Sequence, residues 1–226
     1  MTIPVPSPQP PADPARRLPK FRRRAEARPD EVLEAALDLF IERGFAATRV
    51  EDIAKRAGLS KGAVYLYFPS KEAIMEALVR RALVPITERA AEALRAFSGT
   101  PRQAFEMLAA LMSARLGDPR VVAIPKLIIR EVGQFPDLAG MYRREVIERG
   151  LPLLEELVRR GIASGDFRSV DPELAVRSVI GPIAIHLLLA EIFSVTPAGG
   201  IDVGRLIDSH MDILANGLFT EQGRQR

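Results

Sequence analysis

The segment TRVEDIAKRAGLSKGAVYLYFPSK, residues 48–71, decides the fold of this chain. Apolar residues recur at helical spacing on both sides of Gly58, a residue that tolerates the positive φ of a tight turn. Thr48 and Glu51 have the T-x-x-E spacing of a capping box, so a helix is expected to begin at about Arg49. A second helix should follow the turn, and two short helices joined in this way are typical of a helix-turn-helix.

The second helix of this segment has the features of a helix that contacts DNA. Ser60 can cap it, and it should reach about Tyr67. Small residues in its first turn let the backbone approach a phosphate, and a helix N terminus favours an anion. Lys61 is long enough to reach a phosphate or a base edge, and tyrosine hydroxyls can bond phosphates. The predicted DNA contacts are Thr48, Arg49, Ser60, Lys61, Gly62, Ala63, Tyr65, Tyr67 and Lys71.

The distribution of charge agrees with this prediction. Residues 1–71 carry 13 Lys/Arg and 9 Asp/Glu, whereas residues 72–226 carry 19 and 20. The positive excess therefore accompanies the helix-turn-helix, as binding to phosphate requires. The sequence has no Cys and two His, which excludes disulfides and Cys-based zinc sites and argues against a His-rich metal site. No metal and no cofactor are expected.

The chain divides into three predicted parts. Residues 1–27 are Pro-rich and then basic, and we expect a disordered tail that is placed to contact DNA. Residues 28–74 should form the helix-turn-helix domain, and residues 75–226 a larger helical domain. Predicted helices run from Pro29 to Gly44 and at about 49–57, 60–67, 71 into the 90s, 101–116, 119–134, 137–163, 171–193 and 202–219. No segment alternates with a period of two, so the fold should be all-α.

The stretch TRVEDIAKRAGLSKGAVYLYFPSKE, residues 48–72, strongly resembles the tetracycline-repressor (TetR) family of bacterial transcriptional regulators. The resemblance covers about residues 29–75. It implies a three-helix DNA-binding domain, a linker helix and an all-helical regulatory domain. It also implies a homodimer that binds a palindromic operator as a repressor and releases it on binding a small ligand. Apart from Arg49, the predicted contacts fall at DNA-contacting positions of the family, although Tyr67 stands where many relatives have His.

The larger helical part has features of a ligand pocket and of a dimer interface. Pro125, Pro152 and Pro182 should bend or break their helices, and bent helices leave gaps that can hold a ligand. The same prolines are also consistent with shaping a solid bundle. Wide apolar faces on the helices at 171–193 and 202–219 predict pairing with a second copy. Core packing is the simpler interpretation of some of the candidate pocket residues and a solvated helix end that of the others. The candidates are Met107, Leu111, Arg130, Gln134 and His186.

These patterns predict a ligand-responsive, DNA-binding transcriptional regulator, most simply a repressor that a small apolar or aromatic effector releases from its operator. An architectural DNA-binding protein without an effector is the first alternative. A small all-helical enzyme is the second, but no nucleophile–base pair or phosphate loop supports it. Residues 1–14 hold six prolines and no apolar segment, and the longest apolar run is too short for a bilayer, so we expect a cytoplasmic protein without a membrane partner.

Overall fold

In the computed structural model, residues 20–200 and 202–218 are described, with side chains from residue 29 to residue 217 except residue 201. This part of the chain is helical and contains no strand. The helices are α1 (Lys20–Arg43), α2 (Val50–Arg56), α3 (Lys61–Tyr65), α4 (Lys71–Ala82), α5 (Val84–Ala96), α6 (Pro101–Leu116), α7 (Pro119–Glu131), α8 (Pro136–Tyr142), α9 (Glu148–Ala163), α10 (Pro172–Phe193) and α11 (Val203–Leu218). The prediction of an all-α fold is confirmed.

The first helix begins earlier than the sequence predicted. α1 starts at Lys20 and continues through Pro29, so residues 20–27 are helical and do not belong to a disordered tail. The run KFRRRAEAR is rich in residues with high helix propensity, which offsets the amide that proline lacks. The rest of the predicted tail, residues 1–19, lies outside the described residues.

Two predicted helices have a different internal structure. The helix expected from Lys71 into the 90s is broken at Leu83, because Pro85 has no amide to continue the hydrogen-bond ladder of α4. The helix expected at 137–163 is continuous, but a π-helical turn, Arg143–Ile147, joins α8 to α9. A π turn places an extra residue in the helix and shifts which side chains share a face.

The prolines of the larger domain lie inside helices that continue past them. Pro125 is within α7, Pro152 within α9 and Pro182 within α10. Each proline was predicted to bend or break its helix, and none of them breaks it. The helix starts predicted from Thr100, Asp118 and Asp171 are confirmed, since each of these side chains accepts a hydrogen bond from a backbone amide of the first turn.

The buried side chains form two clusters. The first, which we call the reader core, joins α1–α4 to residues of α7 and α8, among them Ile124, Leu127 and Leu138. The second, the body core, joins α6, α9, α10 and α11 around Phe105, Phe167 and other residues. The helix-turn-helix therefore completes its core with side chains that lie 40 residues or more beyond α4 in the chain.

Helix α10 carries many apolar side chains that nothing in the described chain covers. Leu174, Ile185, Ile192 and Phe193 are each 48–61% exposed. By length and composition alone, α10 would be long and apolar enough to cross a membrane, with a mean hydropathy of 1.7 in its most apolar window. A core helix of a globular protein passes the same test, so the exposed apolar side chains are the more informative observation.

Candidate DNA-binding surface and effector cavity

Helices α2 and α3 present a polar face above the reader core. The Ser60 hydroxyl accepts a hydrogen bond from the Ala63 amide at 3.1 Å and so fixes the start of α3. Val64 is fully buried below this turn, whereas Lys61 is exposed and Tyr65 is 43% exposed above it. The predicted recognition helix thus exists, and its apolar residues dock it while its polar residues face outward.

The exposed lysine of α3 already has a partner in the free protein. The Lys61 ammonium forms an ion pair with Glu51 of α2 and lies 5.7 Å from the centre of the Tyr65 ring. The hydrogen bond between them raises the pKa of Lys61 and lowers the pKa of Glu51. An exposed ion pair of this kind is weak and uses one of the three N–H donors of the ammonium, so Lys61 remains available to a phosphate.

Thr48 has a different role from the predicted one. Its hydroxyl donates to the Gly44 carbonyl at 2.7 Å and lies 3.3 Å from the Leu39 carbonyl, and the residue is 1% exposed. Helix α2 has Arg49 as its N-cap, without a side-chain hydrogen bond, so the predicted capping box is wrong. The hydroxyl satisfies carbonyls at the end of α1 instead, and the side chain is buried.

Lys71 also points into the protein. Its ammonium donates to the carbonyls of Phe45, Ala46 and Thr48, at 2.6, 3.3 and 3.0 Å, and lies 4.4 Å from the centre of the Phe45 ring. Partial burial lowers the pKa of Lys71, and the carboxylates of Glu72 and Glu131 oppose that shift. All three N–H donors are engaged, so this side chain holds the α1–α2 loop.

The remaining predicted DNA contacts lie on the outer side of the helix-turn-helix. Arg49, Ser60 and Gly62 are exposed, and Ala63 is partly exposed beside them on α3. Tyr67 is partly buried because its ring packs against the reader core. The structure therefore brings together seven of the nine predicted residues and turns the side chains of Thr48 and Lys71 inward.

The larger domain contains a cavity of about 460 Å³ between the reader core and the body core. Its walls come from α5 to α10, the π turn and the start of α11. The lining residues are Leu83, Ile86, Thr87, Ala90, Leu108, Leu111, Met112, Leu116, Val122, Pro125, Ile128, Ile129, Val132, Ala139, Tyr142, Arg143, Val146, Ile147, Gly150, Leu151, Leu153, Leu154, Ile180, Ile183, Ala184, Leu187 and Val203. Volume and composition are typical of a site for a small apolar molecule.

Leu111 lines this cavity, whereas the other four pocket residues predicted from the sequence do not. Met107 packs against the body core, and His186 is partly buried on α10 away from the lining. Gln134 is exposed. The Arg130 guanidinium donates to the Phe40 carbonyl at 3.3 Å, so this side chain contacts α1 rather than the cavity.

At the end of α7, a hydrogen bond joins the helix that lines the cavity directly to the helix-turn-helix domain. Glu131, 6% exposed, accepts a hydrogen bond from the Phe45 amide at 3.2 Å. The Phe45 ring is fully buried and meets the Phe135 ring edge to face, with centroids 4.9 Å apart. Gly44 has φ of +87°, and a Cβ there would lie 3.1 Å from the Glu131 carboxylate, so only glycine allows this approach without strain.

We call the cluster of Phe45, Lys71, Glu131 and Phe135 the α7 joint. Lys71 holds the Phe45 carbonyl from α4, and Glu131 holds the Phe45 amide from α7. Helix α7 lines the cavity through residues such as Pro125 and Ile128 of the same helix. No sequence pattern predicts this cluster, because its members are up to 90 positions apart and share no spacing.

Comparisons with known proteins agree with this architecture. Residues 32–78 match the family described as "Bacterial regulatory proteins, tetR family", and residues 95–198 match "Tetracyclin repressor-like, C-terminal domain". The uncharacterized HTH-type transcriptional regulator YdeS of Bacillus subtilis is 30% identical over 173 residues, covering 74% of this chain and 82% of YdeS. The chain belongs to the TetR family. It is thus a DNA-binding transcriptional regulator, as the sequence predicted.

Solved structures of TetR-like regulators share this fold. The transcriptional regulator FadR from Bacillus subtilis, in complex with stearoyl-CoA, superposes with a TM-score of 0.69 at 24% identity, covering 83% of this chain and 98% of FadR. A transcriptional regulator from Saccharomonospora viridis, in complex with choline, also has a TM-score of 0.69, at 21% identity, covering 87% of this chain and all of that one. Members of the TetR fold thus accept ligands of very different chemistry.

Proposed function

We propose that this TetR-family protein is a cytoplasmic, homodimeric repressor that leaves its operator when a small apolar effector fills the cavity. The observation that carries the proposal is the α7 joint, because it connects the cavity wall to the loop that supports α2. An architectural DNA-binding protein would need neither a cavity of about 460 Å³ nor a wall bonded to the reader. The lining offers no pairing of a nucleophile with a base, so it does not favour an enzyme.

The DNA surface in this proposal consists of α3 and the start of α2. The contacts are the seven outward residues Arg49, Ser60, Lys61, Gly62, Ala63, Tyr65 and Tyr67. Lys61 leaves Glu51 for a phosphate or a base edge, and the Tyr65 hydroxyl donates to a phosphate. One short helix covers few base pairs, so two copies related by a two-fold axis bind half-sites about 34–36 Å apart or at a multiple of that distance.

The second copy covers the exposed apolar side chains of α10. Leu174, Ile185 and Ile192 follow one another at intervals of 11 and 7 residues, which places them on one side of the helix. Ile213 of α11 is 66% exposed. Pairing of α10 and α11 with their copies would bury these residues in a four-helix interface, and interfaces of that kind commonly exceed about 2,000 Å².

The release step in this proposal runs through α7 as well as α4. An effector in the cavity contacts α7, and a shift of α7 moves Glu131, which holds the Phe45 amide. The helix-turn-helix domain then changes its position relative to that of the second subunit, and the two recognition helices no longer fit successive major grooves. The effect is limited by the preference of the effector for the released state, typically about 1–3 kcal/mol.

Selection of bound sequences from a random DNA library tests the DNA-binding half of this proposal. The selected sequences should be pseudo-palindromic, and Lys61→Ala should weaken binding and reduce the slope of log affinity against log salt by about 0.9. The matched control is Arg159→Ala, which removes a cation from an exposed ion pair on α9 and should leave both quantities unchanged. An unsymmetrical selected site, or equal effects of the two variants, would contradict the proposal.

A further inference from the structure

One polar group of the cavity lining has no hydrogen-bond partner among the described residues. Three lining side chains carry oxygen or nitrogen, namely Thr87, Tyr142 and Arg143. The Thr87 hydroxyl donates to the Val84 carbonyl at 2.8 Å, so its proton is used. Arg143 is paired with Glu148 at 3.2 Å and is largely exposed, which places its charge at the rim. Among the described side chains and backbone groups, none hydrogen-bonds to the Tyr142 hydroxyl.

Tyr142 lies where the cavity wall passes from α8 to the π turn. Tyr142 is the last residue of α8 and directly precedes the π turn. The wider turn places Arg143, Val146 and Ile147 in the cavity wall, while Glu145 turns the other way to the Arg80 guanidinium, at 3.0 Å. Single π turns inside α-helices are frequent at functional sites because they redirect side chains in this way.

The Tyr142 phenol is a donor at any physiological pH. Burial raises the pKa of Tyr142 to about 12, because the phenolate would be poorly solvated between apolar neighbours. The group therefore keeps its proton, and because the hydroxyl oxygen is not sealed off from water-sized space, it is free to donate to a ligand. A ligand that fills the cavity and offers one acceptor oxygen satisfies this group.

The charges of the wall limit the ligand further. No carboxylate and no aromatic cage lines the cavity within the described chain, so a quaternary ammonium such as choline has no partner there. A carboxylate buried in the cavity would lack a cation at its depth, since the largely exposed Arg143 lies at the rim. We propose that the effector is an uncharged apolar molecule with one acceptor oxygen, such as a ketone or an ester, and that the Tyr142 hydroxyl donates to that oxygen.

This inference rests on the proposed function and gives its effector a chemical class. The test uses two ligands of nearly the same shape, 2-undecanone and 2-methyl-1-undecene, in which a methylene group replaces the carbonyl oxygen. Both are titrated calorimetrically into the full-length protein and into Tyr142→Phe. The ketone should bind the variant about tenfold more weakly than the natural protein, because its oxygen then lacks a donor. The alkene should bind the variant at least as well.

The outcomes distinguish a wrong ligand class from a wrong proposed function. Equal changes for both ligands, or no change for either, would overturn the role of Tyr142. Undecanoate should bind the natural protein at least tenfold more weakly than the ketone, and equal binding would overturn the uncharged class. If neither neutral ligand binds, the class is wrong. The proposed function is judged separately, by whether the same preparation selects a palindromic DNA site.

Discussion

Lys61 and Lys71 were both predicted to contact DNA, and replacing each by methionine should separate them. Methionine keeps most of the length of the side chain but removes the ammonium. In Lys71→Met, the carbonyls of Phe45, Ala46 and Thr48 lose their donor, whereas Lys61→Met breaks an exposed ion pair with Glu51. The first variant should therefore lose stability, and the second should lose operator binding without losing stability.

The magnitude follows from the surroundings of the three carbonyls. The bonds to Phe45 and Thr48 are partly buried, and the bond to Ala46 is exposed. Leaving a buried acceptor unsatisfied costs about 1–3 kcal/mol, and partial exposure places each of the two near the lower limit. The lost contact with the Phe45 ring adds about 0.5–1 kcal/mol. Lys71→Met should thus destabilise the protein by about 2–3 kcal/mol, or about 4–12 °C in Tm for a chain of this length.

Circular dichroism at 222 nm measures the melting of both variants, and fluorescence anisotropy measures their affinity for the selected operator. Lys61→Met should have the same Tm as the natural protein and should bind the operator more weakly. Lys71→Met should melt earlier. If Lys71→Met keeps the natural Tm and loses operator affinity as Lys61→Met does, Lys71 contacts DNA and the assignment of its ammonium to the α1–α2 loop is wrong.

Three further outcomes are expected. Ile185→Glu places a charge in the proposed dimer interface and should give monomers in sedimentation experiments, whereas an intact dimer would place the interface elsewhere. Ala184→Phe narrows the cavity and should weaken effector binding at unchanged operator affinity, measured by anisotropy. The Arg80 guanidinium lowers the pKa of Glu145, so the stability from this pair is present at neutral pH and is lost as the pH falls through the lowered value. Glu145→Gln should therefore be less stable at neutral pH. Its free energy of unfolding, measured with urea at a series of pH values, should also fall less steeply than that of the natural protein as the pH is lowered.

Features that depend on neighbouring residues could be predicted from the sequence, whereas contacts between distant residues could not. The helix starts at Thr100, Asp118 and Asp171 depend on residues within one turn, so their positions could be predicted. Thr48 shows the limit of such arguments. Its spacing to Glu51 fits a capping box, but the carbonyls of Leu39 and Gly44 come closer in the folded chain and take the hydroxyl.

The candidate ligand site was harder to predict than the DNA surface. The outward residues of α3 lie within one short segment, so a pattern of small, basic and aromatic residues identifies them. The cavity draws its wall from seven helices and a π turn, and Tyr142 joins that wall from the last turn of α8. Residues so far apart in the chain share no spacing that a sequence pattern could detect, and so Tyr142 was missed while Met107 and His186 were named.

The shared reader core has a consequence for engineering. A cut after α4 would follow the boundary in the sequence, but it would remove Ile124, Leu127, Leu138 and the Glu131 carboxylate from beneath the helix-turn-helix. The excised fragment would expose the apolar side that these residues cover. A chimaera that grafts the recognition segment of another regulator onto this body must therefore carry across the matching faces of α7 and α8. The residues that must be exchanged together therefore come from two distant stretches of the chain and do not form one continuous domain.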